Sequence, residues 1–465
     1  MKRPLIPVVL LALTGVAGAV AYQEGARQRD YRAQLARGDA ALRDDQTFGA
    51  IEAYSGAIAL RPEAMLAHLR LAETYQRRGD LEEAAREFRR AAALDPTATR
   101  PLEELGDAHY HLQRYGRAIE AYQAFLRLDD RSAKVAYKLA LALYREGSSD
   151  RALAAANQAI ALDVRLAEAY YLKGLCLREK RRTSEAVQAF ERAASLSPGM
   201  IPAREELADA YRALGRSHDE LEQLQLLAGL DRDHVERQVA VGLAHARTGH
   251  GDVAVVTLGN ALERSPDQPL IYAALGRVWL DMASTRSDAL RKALEALEPV
   301  ASTASATSDV LTVYGRALLE DDNPEAAERS LHLATLRFPV EPSAFLFYAA
   351  AAERLNHVDL ARRALIDYGA LVPNDPDLVS RATKIGVLSL RLDDADTAVE
   401  WLQRASTDAP ADTRILTLLA DAQFRAGDSA AAQATIGRAL DKDPANVALL
   451  KVKAKIEKNR RIPNP

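Results

Sequence analysis

Apolar residues along most of the chain recur three and four places apart, which is the spacing of one face of an α-helix. The stretch 65–78 shows this pattern, with Met65, Leu69 and Ala72 separated by polar and charged residues, and Gly79 then marks a turn before a second helical stretch. No segment shows the two-residue alternation that is typical of a β-strand. The pattern therefore predicts an all-α chain that is built from pairs of short helices.

A small residue recurs at one place of a unit about 34 residues long. The twelve residues at this place are Gly38, Ala72, Gly106, Ala140, Gly174, Ala208, Gly242, Gly276, Gly315, Ala349, Gly386 and Ala420. The first eight are 34 residues apart, and the later steps are 39, 34, 37 and 34. A fixed period of this length indicates a helical repeat array, in which helix pairs too small to bury their own apolar faces stack on one another.

Two further places of the unit follow the same period. Alanine stands twelve places after the small residue in most units, and a large apolar residue often follows four places later. Examples of the large residue are Tyr54, Phe88, Tyr122, Phe190, Leu258, Leu331 and Leu402. We expect the small residue to let a neighbouring helix approach and the large residue to fill the space beside that contact. Proline closes many units because it cannot continue a helix.

This unit resembles the tetratricopeptide repeat. The resemblance is clearest over 65–98, and similar units extend from Tyr31 to about Asn446, roughly nine tenths of the chain. The residues that occupy the family's consensus places are Leu71, Ala72, Tyr75, Ala84, Phe88, Ala91 and Pro96. The resemblance implies a right-handed superhelical solenoid of about twelve antiparallel helix pairs, with a concave groove lined by the first helix of each pair. It does not imply one activity.

Two shifts of phase interrupt the array. We place five extra residues between Leu297 and Asp309, where the small, polar stretch 299–307 predicts a hinge or a longer loop, and three more near Pro373. The expected organisation is a first part of about eight units at 31–298, the hinge at 299–307, a second part of about four units at 308–446, and a basic C-terminal capping helix and tail at 447–465. Binding of an anionic surface is the alternative interpretation of that basic segment.

The N-terminal residues 1–22 carry a targeting signal. Lys2 and Arg3 precede an uncharged stretch, and small residues at 19–21 predict a secretory signal peptide cleaved after Ala21. The alternative is an uncleaved anchor over residues 5–22, since about 18 apolar residues of helix span roughly 27 Å, close to the thickness of a bilayer core. A first core helix is the third interpretation. The first two place the repeats outside the cytoplasm, either in the periplasm or secreted, or held at the inner membrane.

Composition and motifs argue against several classes of function. The net charge of −4 over 465 residues gives no basis for nucleic-acid binding. Cys176 is the single cysteine, so an intrachain disulfide is excluded, and we expect it to be a small buried residue. No metal-ligand spacing, phosphate-binding loop or catalytic motif stands out. We therefore predict no enzyme activity, no cofactor and no metal.

The first helices carry an aromatic and basic pattern in three consecutive units. The predicted groove-binding residues are Tyr110, Lys134, Tyr137, Tyr144, Arg145, Tyr171 and Arg178. Tyrosine offers a large contact area with a hydroxyl, so a peptide could lie across these residues, or a glycan could stack on them. Packing between adjacent first helices is the third possibility.

An acidic residue also recurs four places before a basic one, as in Asp39 with Arg43 and Asp421 with Arg425. This spacing indicates helix-stabilising pairs, or alternatively a row of arginines that accepts acidic groups. Taken together, the sequence predicts a non-catalytic scaffold outside the cytoplasm that binds a protein or peptide in its groove, in envelope assembly, secretion or polymer export. The alternative is a glycan-binding accessory protein of a polysaccharide system, and an uncleaved N-terminal segment would add contact with the membrane.

Overall fold

The structure is a computed structural model that describes the backbone of residues 5–460 apart from Arg232 and Asn446, and the side chains of residues 20–454 apart from those two and Ala448. This part of the chain contains 25 helices and no strands. The helices are α1 Leu5–Arg43, α2 Thr47–Leu60, α3 Met65–Arg78, α4 Leu81–Leu94, α5 Thr99–His111, α6 Tyr115–Leu128, α7 Ala133–Arg145, α8 Ser149–Leu162, α9 Ala167–Glu179, α10 Thr183–Leu196, α11 Ile201–Ala213, α12 Ser217–Leu230, α13 Val235–Arg247, α14 Gly251–Arg264, α15 Pro269–Met282, α16 Ala289–Ala301, α17 Ser308–Glu320, α18 Pro324–Thr335, α19 Ser343–Arg354, α20 Val358–Leu371, α21 Leu378–Arg391, α22 Ala395–Asp408, α23 Thr413–Arg425, α24 Ser429–Leu440 and α25 Val447–Arg460.

The helices divide into two compact units within α12, the first ending at Gln223 and the second beginning at Leu224. In the first unit, α1 packs on α2, α3 on α4, and so on to α9 on α10, while each second helix also packs on the first helix of the next pair. The second unit repeats this arrangement from α13 to α24. The chain is therefore an all-α helical repeat solenoid, as the period predicts.

The contact between the small and the large residue explains the period. A Cβ atom placed on Gly242 would lie 2.6 Å from Cγ of Leu258, and one placed on Gly386 would lie 2.5 Å from Cγ of Leu402. Glycines 38, 106, 174 and 315 face Tyr54, Tyr122, Phe190 and Leu331 in the same way. The predicted close approach of the two helices in a pair is confirmed in these units.

The five extra residues lie elsewhere than the sequence indicates. A Cβ atom on Gly276 would meet Leu297, which stands 21 residues later instead of the usual 16. The insertion therefore precedes α16 and lies around the turn 283–288, whereas Leu297 and the next small residue, Gly315, are the usual 18 residues apart. Pro299 belongs to the last turn of α16, and Val300 packs against the neighbouring core. The prediction that the insertion lies at 297–309 is thus wrong. The hinge at 299–307 stays a prediction, and it is no longer supported by extra residues in that stretch.

The two ends of the chain fall partly outside the described residues. In the expected signal or anchor segment 1–22, residues 1–4 and the side chains of residues 5–19 lie outside the described residues, and the backbone from Leu5 onward belongs to α1. Among the described residues no helix combines the length and the apolar character needed to span a bilayer. At the other end, α25 covers the end of the array, since Leu449 is fully buried beside Leu416 and Ile436.

Candidate functional site on the first helices

All seven residues predicted to bind a partner lie on three first helices of the first unit. Tyr110 lies in the last turn of α5, Tyr171 and Arg178 lie on α9, and the other four lie on α7. The four tyrosines are half-buried, whereas the three cationic side chains are exposed. We call the surface formed by these seven residues the first-helix face.

The tyrosine rings of this face rest on the hydrophobic core. Tyr110, Tyr137 and Tyr144 pack against the cluster that contains Phe125, Leu139 and Leu172. The ring of Tyr171 packs against the next cluster, with its centroid 5.9 Å from that of Phe190. The rings are therefore fixed by packing on one side, and their other side lies at the surface.

Cations of the following first helix meet two of the tyrosine hydroxyls. The contact with Tyr110 raises the pKa of Arg145 above its usual value. Burial and a hydrogen bond with Glu179 raise the pKa of Tyr144 to about 12, while the nearby Arg178 opposes that shift. Burial is also the main reason why the pKa values of Tyr137 and Tyr171 are raised. All three of these tyrosines are consequently neutral hydroxyl groups at ordinary pH.

The cations of the face also join neighbouring first helices through ion pairs. Lys134 lies 3.0 Å from Glu103 of α5, and Arg178 pairs with Glu206 of α11. Lys138, which is more buried, lies 2.7 Å from the same Glu103 and 2.5 Å from Asp107. These pairs join α7 to α5 and α9 to α11.

The acid and base four residues apart are mostly not paired with each other. Asp421 and Arg425 do form this pair at 2.8 Å. In other units the acid instead accepts a hydrogen bond from the large residue of the second helix, as Asp39 does from Tyr54 and Asp107 from Tyr122, both at 2.7 Å. In both units the acidic residue directly follows the small glycine against which the tyrosine packs. Its carboxylate therefore lies beside the tyrosine hydroxyl and pairs with it instead of with the basic residue four places later.

Three arginines on the first helices contact the backbone of the preceding first helix. The guanidinium groups of Arg77, Arg354 and Arg425 donate to the backbone oxygens of Leu42, Leu319 and Leu390, at 3.3, 2.7 and 3.3 Å. Each acceptor lies in the last turn of the preceding first helix, where free carbonyl groups and the helix dipole favour a cation. These arginines therefore already have partners, and an anion-accepting row is not formed at their positions.

Comparison with known proteins identifies the repeat. One tetratricopeptide repeat model matches residues 35–99, 69–133 and 137–201, and a second matches residues 389–456. The chain contains tetratricopeptide repeats. No protein in the curated comparison matches this tetratricopeptide repeat chain significantly.

Several solved structures resemble parts of the array. A structure of MamA protein is 26% identical, with a TM-score of 0.36, and the match covers 37% of this chain and 93% of that one. YrrB, described as a tetratricopeptide repeat protein with an unusual peptide-binding site, is 23% identical over 40% of this chain and 97% of its own, with a TM-score of 0.35. PilF of Pseudomonas aeruginosa is 19% identical over 46% of this chain and 97% of its own, with a TM-score of 0.38. Each of these matches spans less than half of this chain.

The second unit of the tetratricopeptide repeat chain presents an apolar surface that the sequence pattern does not reveal. Phe338 is 96% exposed and Leu336 is 67% exposed, in the connection between α18 and α19. Phe338 borders a cavity of about 680 Å³ whose other walls include Leu270 and the stretch 304–309. The only sequence signal was an aromatic residue before proline in a connecting segment.

Cys176 lies in the core, as predicted. Its side chain is fully buried against Leu172, and burial raises the pKa of the thiol to about 11. Within the described residues, no group of histidine, cysteine, aspartate and glutamate side chains has the arrangement of a metal site.

Proposed function

We propose that this protein is a non-catalytic scaffold that binds a protein or peptide partner on its first-helix face. Tetratricopeptide repeat folds are typically scaffolds of this kind. The observation that carries the proposal is the line of four half-buried tyrosines across α5, α7 and α9, flanked by the exposed Lys134, Arg145 and Arg178.

Rigid aromatic rings beside arginine are the composition expected at the centre of a protein interface. The rings are already fixed against the core, and the hydroxyls of Tyr110 and Tyr144 already have polar partners, so binding would cost little side-chain entropy. The exposed cations favour an acidic partner, because they can exchange their exposed ion pairs for pairs with the partner's carboxylates.

The test is capture of partners from an extract of the producing cell with two matched double variants. Lys134→Glu with Arg178→Glu reverses two charges on the first-helix face. Arg127→Glu with Arg151→Glu makes the same change in net charge on the second helices α6 and α8, where both arginines are exposed. Circular dichroism would confirm that both variants keep the helicity of the wild type.

We expect a partner that is retained by the wild type and the second-helix variant and lost from the first-helix variant. Equal retention by all three proteins would contradict the proposal. The second candidate, a glycan ligand, is favoured by the stacking surface of the tyrosines alone. It predicts binding that is lost in the Tyr137→Ala, Tyr144→Ala, Tyr171→Ala variant but unaffected by charge reversal and by added salt.

We further propose that the repeats act outside the cytoplasm, in envelope assembly, secretion or polymer export. Support comes from Lys2, Arg3 and the uncharged stretch that follows them. A fusion of an alkaline phosphatase, which is active only after export, to the C-terminus would test this location. An inactive fusion that is produced in normal amounts would contradict it.

A further inference from the structure

A cleft in the first unit lies between the consecutive second helices α4 and α6, beside α5, and shares no lining residue with the first-helix face. It has a volume of about 420 Å³ and lies between Arg89 of α4, His109 of α5, and Arg117 and Glu120 of α6. Its apolar walls are Leu102, Leu105, Ala121 and Ala124. A cleft of this size falls within the range of small-ligand sites.

His109 is buried at the wall of this cleft with one nitrogen unsatisfied. Its side chain is 2% exposed, and its Nε2 lies 3.2 Å from a guanidinium nitrogen of Arg89. Arginine can only donate, so Nε2 accepts and the proton of the neutral ring is on Nδ1. Nδ1 is buried and has no hydrogen-bond partner among the described residues. The Nδ1–H of the ring is therefore a buried donor that needs an acceptor.

In another repeat of the first unit, the buried donor at the place that corresponds to His109 has a carboxylate partner. Tyr211 stands three places after the small residue Ala208, as His109 stands three places after Gly106, and it is likewise buried. Its hydroxyl donates to Glu191 at 2.6 Å, and Glu191 stands at the place of α10 that Arg89 occupies in α4. There the chain supplies a carboxylate to the buried donor, whereas at His109 it supplies a cation.

The charges around His109 favour a single negative charge. Arg89 and Arg117 have no carboxylate partner in the described part of the chain, while Arg114 is paired with Glu82 at 2.6 Å. Burial, followed by the charges of Arg89, Arg117 and Arg114, lowers the pKa of His109, and Glu82 opposes this shift. With His109 neutral, the two unpaired arginines and Glu120 leave the cleft with one net positive charge.

We propose that this cleft binds one carboxylate group, held between Arg89 and Arg117 and accepting a hydrogen bond from Nδ1 of His109. The site is separate from the first-helix face, and it would take the side chain or the C-terminal carboxylate of an acidic peptide. Guanidinium groups suit a carboxylate because they donate in a planar, two-pronged arrangement.

The test is NMR of the histidine ring nitrogens of the full chain, with His109 assigned from the signals that disappear in His109→Gln. The probes are sodium acetate and inorganic phosphate, each compared with sodium chloride at equal ionic strength. A bound anion stabilises the protonated imidazole, so acetate should raise the pKa of His109 in a saturable way. Arg89→Gln and Arg117→Gln should each weaken acetate binding by roughly tenfold or more, and Arg90→Gln, an exposed neighbour on the same helix, should leave it unchanged.

Three results would overturn the proposal. The first is a His109 signal that responds to acetate only as it does to chloride, which would mean that water satisfies Nδ1. The second is saturation by phosphate at concentrations far below those of acetate, which would assign the site to phosphate groups. The third is acetate binding that survives both arginine substitutions. Because the measurement reads His109 directly, its outcome is independent of the test of the first-helix face.

Discussion

At the scale of single residues, the alternation of small and large side chains sets the geometry of the array. Gly242 and Leu258 meet because no Cβ stands between them, and a Cβ atom there would lie at 2.6 Å from Cγ. The sequence could predict this contact because the two places keep a constant separation in most units. It could not predict the roles of polar residues such as Asp107, whose partners come from other helices.

We predict that Gly242→Ala lowers the free energy of unfolding by about 1–3 kcal/mol, because the added methyl group overpacks the contact with Leu258. The matched control is Gly259→Ala on α14, where nothing lies within 4 Å of the new Cβ. This control should raise the free energy of unfolding by up to about 1 kcal/mol, since alanine favours the helix.

Urea unfolding of the two variants and of the double variant with Leu258→Ala would check this. Gly242→Ala should lower the free energy of unfolding by less in the Leu258→Ala background, because the atoms that the new methyl group would meet are then absent. Such non-additivity is expected for residues in contact in a double-mutant cycle. The chain itself carries an alanine at both equivalent places, Ala140 and Ala156. Equal costs in both backgrounds would show that the methyl group does not meet Leu258.

At the scale of elements, the sequence predicts helix pairs well and insertions poorly. Helix ends follow from glycine and proline, as at Gly79, which adopts a left-handed conformation with φ 87°. The sequence misplaces the five-residue insertion because Ala289 nearly continues the period, whereas the alanine that stands four residues before the large residue Leu297, as Ala254 does before Leu258, is Ala293. An alanine-rich sequence offers several near-equivalent alignments, and only the contact between Gly276 and Leu297 decides among them.

The ion pairs between α5 and α7 predict a dependence of stability on pH. Burial opposes the ionisation of Glu103, but hydrogen bonds with Lys138 and Lys134 outweigh it and lower the pKa of Glu103 below the usual 4.5. A lowered pKa gives stability that is present above pH 4.5 and is lost as the pH falls through the folded-state value. The free energy of unfolding should therefore fall less steeply below pH 4.5 in Glu103→Gln than in the wild type.

Urea unfolding at a series of pH values between 6 and 3 would measure this difference. Glu104→Gln is the matched control, because Glu104 contacts the neutral Gln76 at 3.2 Å. Parallel curves for the wild type and Glu103→Gln would show that the pairs with Lys134 and Lys138 do not stabilise the fold.

At the scale of the whole molecule, the period establishes an array but does not identify its ligand. Each helix pair contacts chiefly its neighbours, so the same repeats can carry unrelated surfaces. The sequence placed all seven candidate residues on first helices because their spacing follows the repeat. The cleft at His109 could not be predicted, since its arginines come from second helices on either side and only the packing brings them together.

Site-specific photo-crosslinking tests the central claim most directly. A photoreactive phenylalanine analogue would replace Lys134, which is 73% exposed on the first-helix face, or Arg151, which is 57% exposed on α8. We predict that irradiation in the producing cell gives a distinct crosslinked protein from position 134 and none of the same mass from position 151. Adducts of the same mass at both positions, or at position 151 alone, would contradict binding on the first-helix face.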